Sequence, residues 1–362
     1  IYRGHKEEGD ATVTMDTIRV GLIGAGGNTR LHHAPKLAAI EGVEVVAVAN
    51  RSMASSARFA DEFDIPNPVE SWMDVLDDDS IDAVCIGTWP YMHSALTIAA
   101  LDAGKHVMVE ARMAANSSEA HAMLDASKER PDLVAQIVPA PHTLAFDQQI
   151  VDMISDGYVG DIIGVDAKVA GSNFPNWDGE LHWRERRDFS GNNIMSMGIW
   201  SEAMMRWVGD YASATAVGHT VIKHKLDGDG RRRSTGNIPD YIDVVAELEA
   251  GGQLHLQVTT VTGFAPAADV YIHGTEGTLR LVNEGNGLEL YGGQRGDAQM
   301  SKIDVPAEKV GSWRVEEEFI NAIRGIEPIT HTDFTTGVKY MEFTDAIAHS
   351  LKLGEKVGLP LS

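Results

Sequence analysis

Apolar positions along the chain fall into two regimes. From Ile18 to about Pro139, short apolar runs alternate with longer segments of helical spacing. The runs Ile18–Ile23, Val43–Ala49, Ala83–Gly87, His106–Val109 and Leu133–Val138 are apolar on both faces, as in a parallel sheet covered by helices. Between them the spacing predicts helices over Leu31–Ile40, Met53–Phe63, Ser71–Leu76, Ser94–Ala103 and Ser117–Glu129, with Gly104 placed to end its helix. Strict alternation of this kind makes a doubly wound α/β sheet.

After Pro139 and Pro141 the period changes. Helix Leu144–Ile154 leads to the cleanly alternating strand Ile162–Ala170, and a Gly-, Asn-, Pro- and Trp-rich loop runs to about Trp183. Helix Ile199–Val208 precedes strands at Ala214–Lys223, Ile242–Leu248, Leu254–Val261, Asp269–His273, Thr278–Val282 and Leu288–Tyr291. Turns are expected at Gly251-Gly252, Gly274–Gly277 and Gly292-Gly293, and helices at Val315–Arg324 and Thr336–Lys352. The expected architecture is α/β: an N-terminal Rossmann doubly wound parallel sheet over 17–140, then an α+β domain over 141–362 with a large, mostly antiparallel, open-faced sheet. Residues 1–16 are polar and patternless and read as a loose tail. A sheet face without helices needs cover, so a homodimer or homotetramer through that face is expected.

The turn after the first strand carries the first chemistry. Gly24, Gly26 and Thr29 occupy the three positions of a G-x-G-x-x-G fingerprint, with Gly27 and Asn28 between them. Gly24 allows the tight turn, Gly26 lets the backbone approach a pyrophosphate, and the following helix start offers free N–H groups. A second apolar strand follows at the βαβ distance, so a dinucleotide is the expected ligand. Ligands in such a sheet bind beyond the carboxyl ends of the strands. After the second strand come Asn50, Arg51 and Ser52; with no acid there for a ribose hydroxyl, and an Arg for a 2′-phosphate, NADP is slightly favoured over NAD. The next two strand ends are Gly87-Thr88-Trp89-Pro90-Tyr91-Met92-His93 and Glu110-Ala111-Arg112.

Composition narrows the partners. The chain has 30 basic and 53 acidic residues, net −23, which argues against nucleic acid and anionic membranes. The one basic run, Arg231–Arg233, lies among Gly, Asp and Ser and reads as a solvated loop. A single cysteine, Cys85, lies inside an apolar strand; it excludes an intrachain disulfide and fits a reducing, cytoplasmic setting. No apolar run is long enough to cross a membrane. No metal is expected, because His32 and His33 are adjacent and have no ligand-spaced partners.

The chain resembles the glucose–fructose oxidoreductase/inositol dehydrogenase (Gfo/Idh/MocA) family. The glycine loop, Thr88 with His93, Ala103-Gly104-Lys105-His106-Val107 before Glu110, and the stretch from Ser190-Gly191 to Trp207 carry the likeness. The resemblance implies an NAD(P)-dependent oxidoreductase acting on a sugar, polyol or sugar derivative by hydride transfer to or from nicotinamide C4. It also shows departures. Where the family usually has Glu-Lys-Pro, this chain has Glu110, Ala111 and Arg112. Where it has Asp-x-Gly-x-His and a further Asp, this chain has Ser196-Met197-Gly198-Ile199-Trp200 and Ala203.

Arg112 is a poor base, and neither Ala111 nor Trp200 can take a proton. Proton transfer then falls to His93, Tyr91, Lys168 or His182. Cofactor contacts are expected from Gly24, Gly26, Gly27, Asn28, Thr29, Asn50, Arg51, Ser52, Thr88, Trp89, His93, Glu110 and Arg112. Substrate contacts are expected from Arg112, Lys168, Arg184, Asn193 and Trp200; an anionic sugar suits convergence of Arg112, Arg184 and Lys168. Glu202 reads as a helix-surface carboxylate. Two other readings stand beside this one. One is an enzyme that retains NAD and uses transient oxidation for glycoside cleavage, elimination or hydration. The other is a non-catalytic cofactor- or sugar-binding protein.

Overall fold

The structure is a computed structural model and describes residues 17–234 and 238–361, so the tail expected over 1–16 lies outside the described residues. The first sheet is parallel throughout and runs β3-β2-β1-β4-β5-β6. Its strands are β1 Ile18–Ile23, β2 Val43–Ala49, β3 Asn67–Val69, β4 Ala83–Ile86, β5 His106–Val109 and β6 Ala135–Ile137. Helices α1 Ala34–Ala38, α2 Met53–Phe63, α3 Trp72–Leu76, α4 Pro90–Asp102 and α5 Ser117–Glu129 make the crossovers. The strand order reverses between β1 and β4, and that switch point is where such sheets open a ligand crevice.

Three local differences from the expected pattern bear on the site. A wide π-type turn, Thr29–His33, precedes α1 in place of an even helix; Pro35 in α1 has no N–H for the carbonyl four residues back. Helix α4 begins at Pro90, earlier than expected, because proline at a first helical position forfeits only an N–H that has no intrahelical partner. Tyr91 and His93 therefore lie in its first turn, not in a loop. Strand β3 was not expected; Pro68 sits in it without penalty because it is an edge strand.

Beyond β6 come α6 Leu144–Ser155, β7 Ile162–Ala170, α7 Arg187–Ser190 and α8 Met197–Val208. The strands that follow are β8 Tyr211–His219, β9 His224–Leu226, β10 Arg232–Ser234, β11 Tyr241–Leu248, β12 Gln253–Thr259, β13 Ala268–Gly274, β14 Gly277–Asn283, β15 Glu289–Gln294 and β16 Ser301–Lys302. Helices α9 Val315–Ile323 and α10 Phe334–Leu353 and strand β17 Val357–Gly358 finish the chain. The second sheet has nine strands, β16-β15-β14-β13-β7-β12-β11-β8-β17, antiparallel except for β7 beside β12. β9 and β10 pair as a separate ribbon. Gly292 and Gly293 lie within β15 and not in a turn: a Cβ on Gly292 would sit 2.8 Å from the Tyr158 hydroxyl.

One face of this sheet is buried. Val165, Ala167 and Val169 of β7 share a core with Trp200, Ala203 and Trp207 of α8 and Tyr340 and Phe343 of α10. The opposite face carries, in register, Tyr291, Arg280, Tyr271, Asp166, His255 and Val245. Helix α9 returns to the first sheet, where Val315, Phe319 and Ile320 pack with Ile18, Val20 and Leu37.

Candidate active site

The glycine turn is held by its own side-chain bond. Gly24 has φ +86°, and a Cβ there would lie 2.7 Å from the Thr88 amide nitrogen. Thr29, in the third fingerprint position, is buried and its hydroxyl donates to the Gly24 carbonyl at 3.0 Å. Across from it, a Cβ on Gly87 would lie 2.1 Å from Thr29 Oγ1 and 2.4 Å from that same carbonyl oxygen. Sequence reasoning gave Gly87 no role; the signal was a glycine ending the strand next to the fingerprint strand.

The outer side of the turn is open. Gly26, Gly27 and Asn28 are exposed, a Cβ on Gly27 would meet nothing within 4 Å, and one on Gly26 would meet only the Gly87 oxygen at 3.6 Å. Thr88 Oγ1 is buried with no hydrogen-bond partner among the described residues. An open cradle of backbone and an unpartnered hydroxyl beside it fit a dinucleotide phosphate and ribose.

At the end of β2, Asn50 and Ser52 shape the turn. Asn50 donates to the Ala25 carbonyl at 3.4 Å and accepts from the Arg51 N–H at 3.0 Å, while Ser52 and Ser55 form a reciprocal cap on α2. Arg51 is exposed and in no ion pair among the described residues.

Glu110, at the end of β5, is already paired. Asn28 Nδ2 donates to its Oε1, and His33 Nε2 lies 2.8 Å from the same oxygen. His33 Nδ1 lies 2.7 Å from Glu316 Oε1, and the Trp313 indole N–H reaches Glu316 Oε2 at 2.8 Å. Burial opposes a charge on His33, but hydrogen bonds and charge from Glu110 and Glu316 outweigh it and push its pKa up to about 9. Burial likewise opposes charge on both carboxyls, yet the imidazolium holds them below the usual range.

Arg112 points inward, not toward a ligand. It is 7% exposed; Nη1 donates to Glu202 Oε2 at 2.6 Å and to the Gly198 carbonyl at 2.9 Å, and the guanidinium lies 4.7 Å over the Tyr340 ring. Gly198 is small because the Arg112 stem crosses it: a Cβ there would lie 2.8 Å from Arg112 Cδ. Against the anion-binding role expected of Arg112, its charge is met by Glu202 within the protein, while Nε and Nη2 have no hydrogen-bond partner among the described residues.

Glu202 is also corrected, from helix surface to hub. It is 1% exposed and accepts further bonds from the Ala140 N–H at 3.0 Å, Thr332 Oγ1 at 2.7 Å and Arg206 at 3.2 Å. Burial raises its pKa, but Arg112 and Arg206 hold it below the usual value. Arg206 continues to Asp147 at 2.8 Å, which accepts the Trp207 indole N–H at 2.7 Å.

Three more expected site residues are engaged elsewhere. His93 is fully buried, its ring nitrogens 2.9 Å from the Arg112 carbonyl and 3.0 Å from the Thr88 carbonyl; burial lowers its pKa. It clamps two strand ends together and has no open edge for a proton relay. Asn193 donates to the Ala114 and Ser190 carbonyls at 3.0 and 2.6 Å. Lys168 alternates with the buried Ala167 and Val169, so it stands on the helix-free face of the second sheet beside Asp269, away from Arg112 and Trp200.

What the fold does bring together is an aromatic crevice. Trp89 stacks on Trp183 at 5.5 Å and meets Phe189 at 4.7 Å; Tyr91, half exposed, meets Phe189 at 5.5 Å. Arg184 lies 4.2 Å over Trp183 and is in no ion pair among the described residues. Burial lowers its pKa, Glu110 raises it and Arg112 lowers it, with a net shift downward. His182 sits at the rim, accepting the Arg184 N–H at 3.3 Å. Trp200 is 6% exposed and stacks with His142, ring centres 6.0 Å apart. Sequence reasoning passed over His142; its signal was an imidazole just past the last strand of the parallel sheet, where ligands collect.

Residues 18–137 match the family model "Oxidoreductase family, NAD-binding Rossmann fold", and residues 148–280 match the "GFO/IDH/MocA C-terminal domain". The chain belongs to the Gfo/Idh/MocA family. It is an NAD(P)-dependent oxidoreductase. Levoglucosan dehydrogenase of Pseudarthrobacter phenanthrenivorans is 24% identical over 300 residues, 73% of each chain. The 1,5-anhydro-D-fructose reductase of Ensifer adhaerens is 29% identical over 272 residues, 72% of this chain and 74% of that one. Among solved structures, levoglucosan dehydrogenase with NADH and L-sorbose shares the fold at TM-score 0.81 and 21% identity, over 95% of this chain and 99% of that one. The Bordetella pertussis WlbA dehydrogenase with NADH and UDP-GlcNAcA does so at 0.78 and 22%, over 96% and 100%.

Within the family's two-domain plan, residues Gly24–Asn28 and Thr88 are those that would hold the dinucleotide. Trp89, next to Thr88 in the chain, gathers Trp183, Phe189 and Arg184, and that aromatic cluster is left for what reacts there. Among the described residues no three His, Cys, Asp or Glu side chains are grouped to hold a metal, and no helix is long and apolar enough to cross a membrane.

Proposed function

We propose that this chain interconverts a hydroxyl and a carbonyl group on a sugar, polyol or sugar derivative, using NADP in preference to NAD. The observation that carries the reading is the open glycine cradle with the unpartnered Thr88 hydroxyl, directly beside an aromatic crevice. Bound there, a nicotinamide supplies a two-electron acceptor or donor at a carbinol carbon. The aromatic cluster of Trp89, Trp183 and Phe189, with Tyr91 half exposed at its edge, suits the apolar C–H face of a sugar ring. Arg184, unpaired beside them, suits a carboxylate or phosphate on that sugar. Arg51 supports NADP, because no carboxylate at the end of β2 is placed to take a ribose 2′-hydroxyl. The names of the relatives, a levoglucosan dehydrogenase and a 1,5-anhydro-D-fructose reductase, support a sugar-like substrate.

In this reading residues 17–140 hold the cofactor, 141–362 complete the substrate side, and the helix-free sheet face joins two or four copies. A single buried cysteine supports a reducing, cytoplasmic setting.

The test is a fluorescence titration with NADPH and NADH, followed by assays on levoglucosan, polyols, ketoses and sugar acids. The expected result is NADPH binding with cofactor-stoichiometric turnover of one sugar class. Failure to bind either cofactor sinks the reading. Turnover with catalytic NAD and no net absorbance change points instead to transient oxidation, and binding without turnover to a non-catalytic binding protein.

A further inference from the structure

Removing a hydroxyl hydrogen as a proton needs a base beside the cofactor, and two of the four groups expected to serve, His93 and Lys168, are not available there. His93 has both ring nitrogens against backbone carbonyls, Glu110 is bound to His33 and Asn28, Glu202 is enclosed by Arg112 and Arg206, and Lys168 faces the other side of the sheet. The Tyr340 hydroxyl is buried and accepts the Met113 N–H at 2.7 Å.

His142 differs from all of these. The Val138 N–H pairs with the Val109 carbonyl, so the chain from β6 continues beside the end of β5 and delivers residue 142 beyond the carboxyl ends of the strands. There the residue is exposed, its ring stacks on Trp200, and it receives no hydrogen bond from a described residue. The residues on either side of it are anchored: the Ala140 N–H donates to Glu202 at 3.0 Å, and the Thr143 hydroxyl accepts from Arg206 at 3.2 Å. An unbonded imidazole between anchored neighbours, beyond the carboxyl ends of the strands and against Trp200, is the arrangement a proton-transferring group requires.

We propose that His142 takes the hydroxyl proton of the substrate in oxidation and returns it in reduction, an inference that rests on the oxidoreductase reading above. In oxidation the O–H bond breaks, its proton moves to a ring nitrogen of His142, and its bonding pair becomes the second bond of the carbonyl. The C–H hydrogen leaves with its electron pair to the oxidant, NADP+ or NAD+. The exposed residue then passes the proton to water. Surrounding protein and the charge of Arg112, the charged group that acts on this ring, both lower its pKa, which keeps a lone pair available near neutral pH.

The test compares the full-length wild type with His142→Gln in three measurements. NADPH affinity by fluorescence should be unchanged. With whichever probe the wild type turns over among levoglucosan, L-sorbose and 1,5-anhydro-D-fructose, kcat should fall at least about a hundredfold and the acidic limb of its pH profile should vanish. In NMR of the wild type, the imidazole signal missing from the variant should titrate below the ordinary histidine value and shift when NADPH and the probe are added. A variant with wild-type kcat and pH profile overturns the assignment of His142 alone, as does a ring that titrates normally and ignores the probe. A wild type inert toward every probe with either cofactor overturns the oxidoreductase reading, and this proposal with it.

Discussion

His33 Nε2 lies 2.8 Å from Glu110 Oε1, and its other ring nitrogen lies 2.7 Å from Glu316 Oε1. One fully buried imidazole thus ties the glycine turn, through Asn28 and Glu110, to α9, more than 200 residues later in the chain. The bond network makes a pH prediction with a definite sign. His33 is raised from 6.5 to about 9, so its contribution to stability is complete below about pH 6.5 and is lost as pH rises through about 9. Glu110 and Glu316 are depressed, so theirs is present above the ordinary carboxylate range and is lost as pH falls below it. Urea unfolding should therefore show greatest stability on the weakly acidic side of neutral. His33→Gln should lower it by roughly 3 kcal/mol there and flatten the alkaline decline. An unchanged alkaline slope in the variant would show that His33 is not the titrating group.

Glu202, 1% exposed, faces two guanidinium groups. Glu202→Gln keeps the shape and removes the charge, leaving Arg112 and Arg206 buried and under-compensated. A loss of about 3 kcal/mol or more is expected in thermal or denaturant unfolding. A loss under about 1 kcal/mol would mean that this network is solvated in solution.

Gly87 and Thr29 set the shape of the cradle. Gly87→Ala should push Thr29 off the Gly24 carbonyl and weaken NADPH binding by about tenfold or more, equivalent to about 1.4 kcal/mol. Thr29→Val, which removes only the hydrogen bond, should cost about 1 kcal/mol of stability. Equal NADPH affinity in wild type and Gly87→Ala contradicts the fit of the turn to a dinucleotide.

Arg51 tests cofactor choice by itself. Arg51→Ala should weaken NADPH by about tenfold and leave NADH within about twofold. Equal effects on both cofactors would remove the case for a 2′-phosphate contact.

The helix-free sheet face exposes Val217, 73% accessible, and Val245, 49% accessible. Val217→Asp should shift sedimentation from the assembled to the monomeric species. A wild type that sediments as a monomer at micromolar concentration leaves this face without a partner copy.

The fold was largely legible because its signals are local. Apolar runs such as Val43–Ala49 and Ala83–Ile86 need no distant partner to be read as buried strands. Gly24 and Thr29 stand at a spacing that only a few turns use. The edge strand at Pro68 and the early start of α4 escaped, because each depends on position in the sheet or on a terminal N–H that pattern does not report.

The site residues divided differently. A carboxylate, a guanidinium or an imidazole looks the same in sequence whether it meets a ligand or another side chain. Glu202 and Arg112 are ninety residues apart, and only their 2.6 Å contact turns an expected surface carboxylate and an expected site residue into a buried pair. His93 became a clamp because two carbonyls from different strand ends meet its ring, and Lys168 fell on the far face because alternation fixes which residues share a side but not which side the helices cover. The sequence by itself determined the dinucleotide turn, since backbone freedom at Gly24 is a property of one residue. Which charged groups remain free to act was decided by the tertiary structure, because neutralising a charge requires a partner that only folding brings within reach.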